Sequence, residues 1–131
     1  MEILEKYIKD MEADLKIDEF SIKDASLKAP GKKHFWVGRL INHKRNIIKL
    51  EAEKEDMRKK IMVEMHAKSP IKLSTSVTWK SAEDNDIMRK LNTQIEEEKL
   101  IVEFLEKCEK IFSSLTYDIK NIIDIMKLEQ L

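Results

Sequence analysis

Apolar side chains recur at helical spacing through the first sixteen residues. A repeat of three and four positions is typical of an amphipathic helix that packs one face against a core. It predicts a short N-terminal helix over residues 2–16. Residues 17–30 have mixed periodicity and are interpreted as a connector with room for one helical turn. The apolar positions of the predicted first helix are Ile3, Leu4, Tyr7, Ile8, Met11 and Leu15.

A long middle helix is predicted between the two prolines of the chain. Pro30 suits the first turn of a helix, because the amide donor that proline lacks has no partner there in any case. The pair Ser69–Pro70 ends the pattern, since the residue before a proline disfavours the helical conformation. The middle helix is therefore predicted to run from Pro30 to about Ala67.

Residues 71–80, with the sequence IKLSTSVTWK, show a two-residue alternation instead. Such alternation predicts a short β-strand with one apolar face. A single strand cannot satisfy its own backbone, so it would need a second strand, for instance from another protomer. An ordered loop is the alternative, and the sequence leaves both open. The positions of the more apolar face are Ile71, Leu73, Thr75, Val77 and Trp79.

A last long helix is predicted to begin near Ser81 and Asp84, a spacing related to the capping box. No glycine or proline interrupts the chain from there to Leu131. Within it, apolar residues step alternately by four and three positions, and this seven-residue repeat favours a helix–helix seam. The seam consists of Ile101, Leu105, Cys108, Phe112, Leu115, Ile119, Ile122 and Met126.

Two interpretations of this seam are open. It could pack against the middle helix of the same chain, or it could hold several copies together. Ile111, Ile123 and Ile125 widen the apolar face beyond one seam, which favours contact with more than one neighbour. Self-association through residues of about 84–131 is therefore the prediction.

Composition supports a mainly α protein of one domain. Only two glycines and two prolines occur in 131 residues, so little interrupts long helices. The domain is divided into the N-terminal and basic helices (1–68), the strand or loop (69–81) and the oligomerisation helix (82–131). The single cysteine forms no internal disulfide, and no signal-like or membrane-spanning apolar run occurs. A soluble, intracellular protein is expected.

Residues that could carry catalysis or bind a cofactor do not form a recognisable pattern. Glycine is too scarce for a phosphate-binding loop, and the spacing of His34, His43 and His66 matches no metal motif. His43 is interpreted as a hydrogen-bonded structural histidine, and Cys108 as a buried member of the seam. The chain is predicted not to be an enzyme, with no metal and no cofactor.

Charge is distributed unevenly along a chain whose net charge is zero. Residues 28–72 contain thirteen lysines and arginines against five acids, and the remainder contains twelve against twenty. Such a basic stretch is suited to phosphates, because binding releases condensed counterions. The alternative is that these cations lie on a solvated helix surface and pair with the interspersed acids Glu51, Glu53, Glu55 and Asp56. The candidate contacts on the middle helix are Lys44, Arg45, Lys49, Arg58, Lys59 and Lys60.

Trp79 adds an aromatic group to this basic stretch. Lys72 and Lys80 flank it, and stacking of bases on an aromatic ring beside cations is how unspecific single-strand binders work. All three residues are candidate DNA contacts. An apolar anchor in the core is the alternative role for Trp79. No motif that reads a duplex groove is present.

The order of these features resembles the UvsY family of bacteriophage recombination mediator proteins, over nearly the whole chain. The elements that carry the resemblance are the Ile17–Asp18 turn, the helix entry from Pro30 to Trp36, the LEAEK run from Leu50 to Lys54, the basic residues that follow, Cys108, and DIKNIIDIM from Asp118 to Met126.

The resemblance implies a helical protein that forms rings of six or seven copies through its C-terminal region. It implies a role in loading a RecA-like phage recombinase onto single-stranded DNA coated by the phage single-strand-binding protein, in the cytoplasm of the infected bacterial host. A Lys-Ala-Arg-Leu motif of the family corresponds to Lys59, Lys60, Ile61 and Met62. Since Ile61 replaces the arginine, the resemblance carries over a basic patch but no geometry. A coiled-coil scaffold that binds no nucleic acid and an RNA-binding regulator are the alternatives.

Overall fold

The computed structural model describes residues 2–17 and 21–130, and these contain four α-helices and no β-strand. The helices are α1 (Glu2–Asp14), α2 (Ile22–Lys68), α3 (Thr75–Glu83) and α4 (Asp86–Glu129). The mainly α prediction is therefore confirmed. Asp18, of the turn quoted above, lies outside the described residues. None of the described helices combines the length and apolar character needed to cross a membrane.

The chain divides into two compact units. The first combines Met1–Asn42 with Ile101–Leu131, and the second comprises His43–Leu100. The first unit thus contains α1, the start of α2 and most of α4. The second contains the rest of α2, all of α3 and the start of α4.

The core of the first unit is built where three helices meet. Met11 of α1 and Trp36 and Leu40 of α2 pack against the seam of α4. Trp36 is only 1% exposed, its ring stacks on Phe112, and its indole nitrogen donates a hydrogen bond of 2.8 Å to Asp14. That bond satisfies the one polar atom of a side chain that is otherwise suited to burial.

Most of the α4 seam is buried inside this single chain. The side chains facing the core are Ile101, Leu105, Cys108, Phe112, Leu115 and Ile119, whereas Ile122 and Met126 are half-buried. Packing within the chain, the alternative weighed against self-association, therefore accounts for these six side chains. Their direct role in assembly stays a prediction. Ile111 and Ile125 are exposed and available to a partner.

The middle helix begins eight residues earlier than predicted, at Ile22. The connector prediction for residues 22–29 was wrong, and Pro30 lies inside α2. A proline within a helix removes one hydrogen bond and crowds the preceding turn. Ile22 and Ala29 pack against the core of the first unit, and this burial offsets the cost. The predicted end near Ala67 is confirmed, since α2 ends at Lys68.

Both predictions for residues 71–80 were wrong over most of that segment, because Thr75–Glu83 form α3. Ser74 caps the helix by accepting a hydrogen bond of 3.3 Å from the amide of Val77. Thr78 and Ala82, four residues apart, are fully buried. Their helical spacing aligns both side chains on one face, and burial of that face outweighs the alternating pattern.

The start of the last helix also differs from its prediction at Ser81 and Asp84. Ser81 lies within α3, Asp84 is its C-cap, and α4 begins at Asp86. The side chain of Asn85 accepts a hydrogen bond of 2.8 Å from the amide of Ile87, as expected of a residue that caps a helix.

Burial of Cys108 predicts a slow reaction with thiol reagents. Desolvation raises the pKa of its thiol from 9.0 to about 11, which lowers the thiolate fraction at pH 8 by about a hundredfold. Labelling with a chromogenic disulfide reagent should therefore be slow in the folded protein and fast in denaturant. Equal rates in the two conditions would contradict the burial of this side chain.

Candidate nucleic-acid interface

Five of the predicted DNA contacts lie on one exposed face of α2 within the second unit. At 100° per residue, these five positions fall within an arc of roughly 160°. The arc excludes His43 and Arg58, which are buried. We call this surface the outer basic face; its residues are Lys44, Arg45, Lys49, Lys59 and Lys60, all exposed.

Most charges of the outer basic face are not neutralised within the chain. Four of the five form no ion pair with any carboxylate in the described part of the chain: Arg45, Lys49, Lys59 and Lys60. The interspersed acid Glu55 is paired with Arg58 instead. Those four side chains therefore form no direct ion pair with the interspersed acids, although the exposed carboxylate of Asp56 falls within the same arc.

Two apolar residues of the same exposed face were missed by the sequence analysis. Ile48 and Val63 are both 69% exposed and fall within the same arc as the basic residues. An exposed β-branched side chain between cations can contact the sugar or base of a strand whose phosphates the cations bind. Their signal in the sequence was the spacing from Lys44 and Lys59 by four residues, which places each pair on one face.

Arg58 occupies a different environment from the other predicted contacts. It is only 6% exposed, and its Nε donates a hydrogen bond of 3.0 Å to Glu83 of α3. Further guanidinium bonds reach Glu83 and Glu55. The guanidinium also lies over the ring of Trp79, with 3.8 Å between its central carbon and the ring centroid. Arg58 therefore joins α2 to α3 and presents little surface to a phosphate.

Trp79 is brought to Arg58 by α3, while the two lysines predicted beside it remain at the surface. Trp79 is 45% exposed, so it is not a fully buried core anchor. Lys80 follows it on α3, and Lys72 lies in the segment that joins α2 to α3; both are exposed. The structure thus places all three in the same unit as the outer basic face.

The Arg58–Glu83 pair predicts a loss of stability at acidic pH. The hydrogen bond from Arg58 lowers the pKa of Glu83 below its ordinary value of 4.5, despite partial desolvation. A carboxylate with a lowered folded-state pKa stabilises the fold above about pH 4.5, and this contribution is lost as the pH falls through the folded-state value. Urea denaturation between pH 6 and pH 3 should show a smaller decrease for Glu83→Gln than for the wild type. An identical decrease in both proteins would contradict the ion pair.

The three histidines do not come together. His43 is buried, and its Nδ1 lies 2.6 Å from a carboxylate oxygen of Glu98, which confirms the prediction of a hydrogen-bonded structural histidine. His34 and His66 are exposed on α2. Within the described ranges, no group of three or more histidine, cysteine or acidic side chains is arranged to hold a metal ion.

Comparison with solved structures identifies the same fold in a phage protein. The chain is similar to three crystal structures of the bacteriophage T4 recombination mediator protein UvsY. Lattice type IV has a TM-score of 0.83 at 16% identity, covering 96% of this chain and 98% of that one. Lattice type II has a TM-score of 0.80 at 16% identity, covering 98% of this chain and 98% of that one. Lattice type I has a TM-score of 0.77 at 15% identity, covering 92% of this chain and 96% of that one. At such identities the likeness shows the fold.

Sequence comparison gives the family. No curated protein matched the chain. The sequence profile described as "Recombination, repair and ssDNA binding protein UvsY" matches residues 10–130, which include all of α2, α3 and α4. The chain therefore belongs to the UvsY family.

Proposed function

We propose that this protein is a recombination mediator that binds single-stranded DNA through the outer basic face of α2. The observation that carries the proposal is that four of the five cations on this face are exposed and form no ion pair within the described chain. A family described as recombination, repair and single-strand-binding proteins supplies the ligand that suits such a surface. Each phosphate neutralised by a cation releases counterions, so the free energy of binding depends strongly on salt.

The protein acts as a ring-like homo-oligomer of six or seven copies in this proposal. Ile111, Ile125 and Leu128 of α4 are exposed apolar residues, which provide contact area for neighbouring copies beyond the buried seam. A ring repeats the outer basic face, so that one strand binds several modest sites at once. The effective concentration of the remaining sites then raises the affinity without any tight individual contact.

The proposed partners are a RecA-like phage recombinase and the phage single-strand-binding protein, in the cytoplasm of the infected bacterium. Several protomers engage and order one strand, weaken the hold of the coating protein, and thereby favour the first contacts of the recombinase filament. The acidic N- and C-terminal parts of the chain are candidate contacts for the recombinase. The work is done by binding equilibria without an enzymatic step.

A recombinase-loading assay tests this proposal. The recombinase's DNA-dependent ATP hydrolysis should begin after a long lag on a strand coated by the single-strand-binding protein, and the wild-type chain should shorten the lag. Lys59→Gln with Lys60→Gln should leave the lag long, while Lys23→Gln with Lys28→Gln, an equal charge change on exposed sites in the first turns of α2, should behave as wild type. Equal activity of both double variants would contradict the assignment of the face, and an unchanged lag with wild type would contradict the mediator role.

The two rival functions give different results with nucleic acids alone. A coiled-coil scaffold would form the oligomer but bind no strand, and neutralising the outer basic face would change nothing. An RNA-binding regulator would prefer ribose to deoxyribose strands of equal length, through contacts to the 2′-hydroxyl. Competition between matched RNA and DNA strands separates these outcomes from the proposed preference for DNA.

A further inference from the structure

The guanidinium of Arg58 is committed to contacts within the protein. One carboxylate oxygen of Glu83 accepts hydrogen bonds from two guanidinium nitrogens of Arg58, from Nε at 3.0 Å and from a terminal nitrogen. The carboxylate of Glu55 accepts a bond from the other terminal nitrogen. The plane of the group is thereby fixed, since a planar fork held by several acceptors has little freedom left. With 6% of the residue exposed, Arg58 is poorly placed to bind a phosphate.

Trp79 presents a ring that lies against Arg58 and is partly exposed. The guanidinium of Arg58 lies 3.8 Å from the centroid of the indole and covers one face. The residue nevertheless retains 45% of its surface exposed. A half-covered indole on the surface is a suitable platform for an unpaired base.

We infer that Arg58 is a positioning residue, which holds Trp79 so that the uncovered face of the indole stacks on one base of the bound strand. This inference rests on the proposed function and assigns a distinct task to a residue that the sequence had placed among the phosphate contacts. In this arrangement Glu83 fixes the plane of the guanidinium, and the guanidinium supports the indole. Lys80, the exposed residue next to Trp79 in the sequence, would bind a phosphate of the same nucleotide.

The chemistry of this cluster requires arginine at position 58. Lysine would keep the positive charge, but its ammonium is a point charge without a plane to stack on the ring or to match a carboxylate at two nitrogens. Arg58→Lys is therefore the informative substitution, because it separates the charge of the side chain from its geometry. Trp79→Ala removes the platform itself and serves as the reference for complete loss of stacking.

The test is binding of an oligothymidine strand, followed by anisotropy and by quenching of tryptophan fluorescence, across a salt series. Trp79→Ala is expected to weaken binding about tenfold and to abolish the quenching that stacking causes. Arg58→Lys should weaken binding about threefold, the equivalent of a lost cation–π contact, and leave the salt dependence unchanged. The double variant should bind no more weakly than Trp79→Ala alone, because Arg58 acts through Trp79.

Glu83→Gln gives the sharpest distinction, because the two roles of Arg58 predict opposite signs. Loss of the carboxylate loosens the guanidinium, so binding should weaken if Arg58 positions the ring. If Arg58 were a phosphate ligand, removal of the competing negative charge would tighten binding. Glu51→Gln, an exposed carboxylate on α2, is the matched control and should tighten binding slightly through charge alone.

Fluorine NMR of fluorotryptophan-labelled protein without DNA shows whether the ring is held in place. Arg58→Lys should shift or broaden the signal of Trp79 and leave that of the buried Trp36 unchanged. An unmoved Trp79 signal, tighter binding by Glu83→Gln, or additive losses in the double variant would overturn the inference while leaving strand binding intact. No binding by the wild type would overturn the proposed function together with the stacking site.

Discussion

Replacement of Trp36 by alanine is expected to lower the free energy of unfolding by about 3–5 kcal/mol. The side chain is 1% exposed and contacts the rings of Tyr7 and Phe112. The substitution leaves a cavity at the place where α1, α2 and α4 meet, and it removes the hydrogen-bond donor to Asp14. Small domains are stable by about 5–15 kcal/mol in total, so much of the stability of the first unit would be lost.

Urea denaturation followed by circular dichroism measures this effect. Wild type and variant are compared at one protein concentration, because self-association would add a concentration-dependent term to the stability. Phe35→Ala is the matched control: Phe35 is the neighbouring aromatic residue on α2 but is 52% exposed, so its loss should cost about 1 kcal/mol or less, near the range of surface substitutions. Equal losses at the two positions would contradict the core described for the first unit.

Neutralisation of the outer basic face is expected to abolish most of the affinity for single-stranded DNA without unfolding the protein. The variant combines glutamine substitutions at all five positions of that face. For single strands, each lost phosphate contact should flatten the slope of log K against log salt by about 0.7. Because all five side chains are exposed, each change should alter stability by only about 0.5 kcal/mol or less.

The control variant for this experiment carries the same change in net charge away from the outer basic face and from α4. Its five glutamine substitutions are at exposed lysines of α1, of the segment that follows it and of the first turns of α2: Lys6, Lys9, Lys16, Lys23 and Lys28. Anisotropy titrations over a range of salt concentrations should show a small, uniform loss for the control and a flattened slope for the outer-face variant. If the two variants behaved alike, net charge rather than the outer basic face would govern binding.

The helices that the sequence predicted correctly are those with long periodic apolar patterns. The first helix and the end of α2 follow directly from spacing and from Ser69–Pro70. The start of α2 did not, because Pro30 was interpreted as a first-turn proline. Ser21 and Asp24 before it resemble a capping pair, but the packing of Ile22 that stabilises those early turns depends on the core of the first unit.

The sequence of α3 is compatible with two structures, a strand with alternating apolar residues and a helix that buries one face. The local sequence does not distinguish between them. Thr78 and Ala82 are the buried residues, and neither is strongly apolar, so the apolar alternation around them was the more visible signal. The Ser74 cap was present in the sequence and was overlooked. A nine-residue helix is too short to be stable alone, so its formation depends on tertiary contacts that spacing does not reveal.

The candidate site could be predicted as a region but not residue by residue. The surplus of positive charge in residues 28–72 indicated α2, and helical geometry is sufficient to group the residues of its outer basic face. The role of Arg58 could not be derived, because its partner Glu83 lies 25 residues away on a helix that was not predicted. Likewise, the seam of α4 revealed a helix contact but not whether the partner helix belonged to the same chain.

Single-strand binding is measured most directly by anisotropy of a labelled oligothymidine strand, titrated with the wild-type protein across a salt series. Duplex DNA of equal length is the competitor. We expect binding at low salt that weakens steeply as salt is added and that resists competition by the duplex. Absence of binding even at low salt, or equal competition by the duplex, would contradict single-strand binding by the outer basic face of α2.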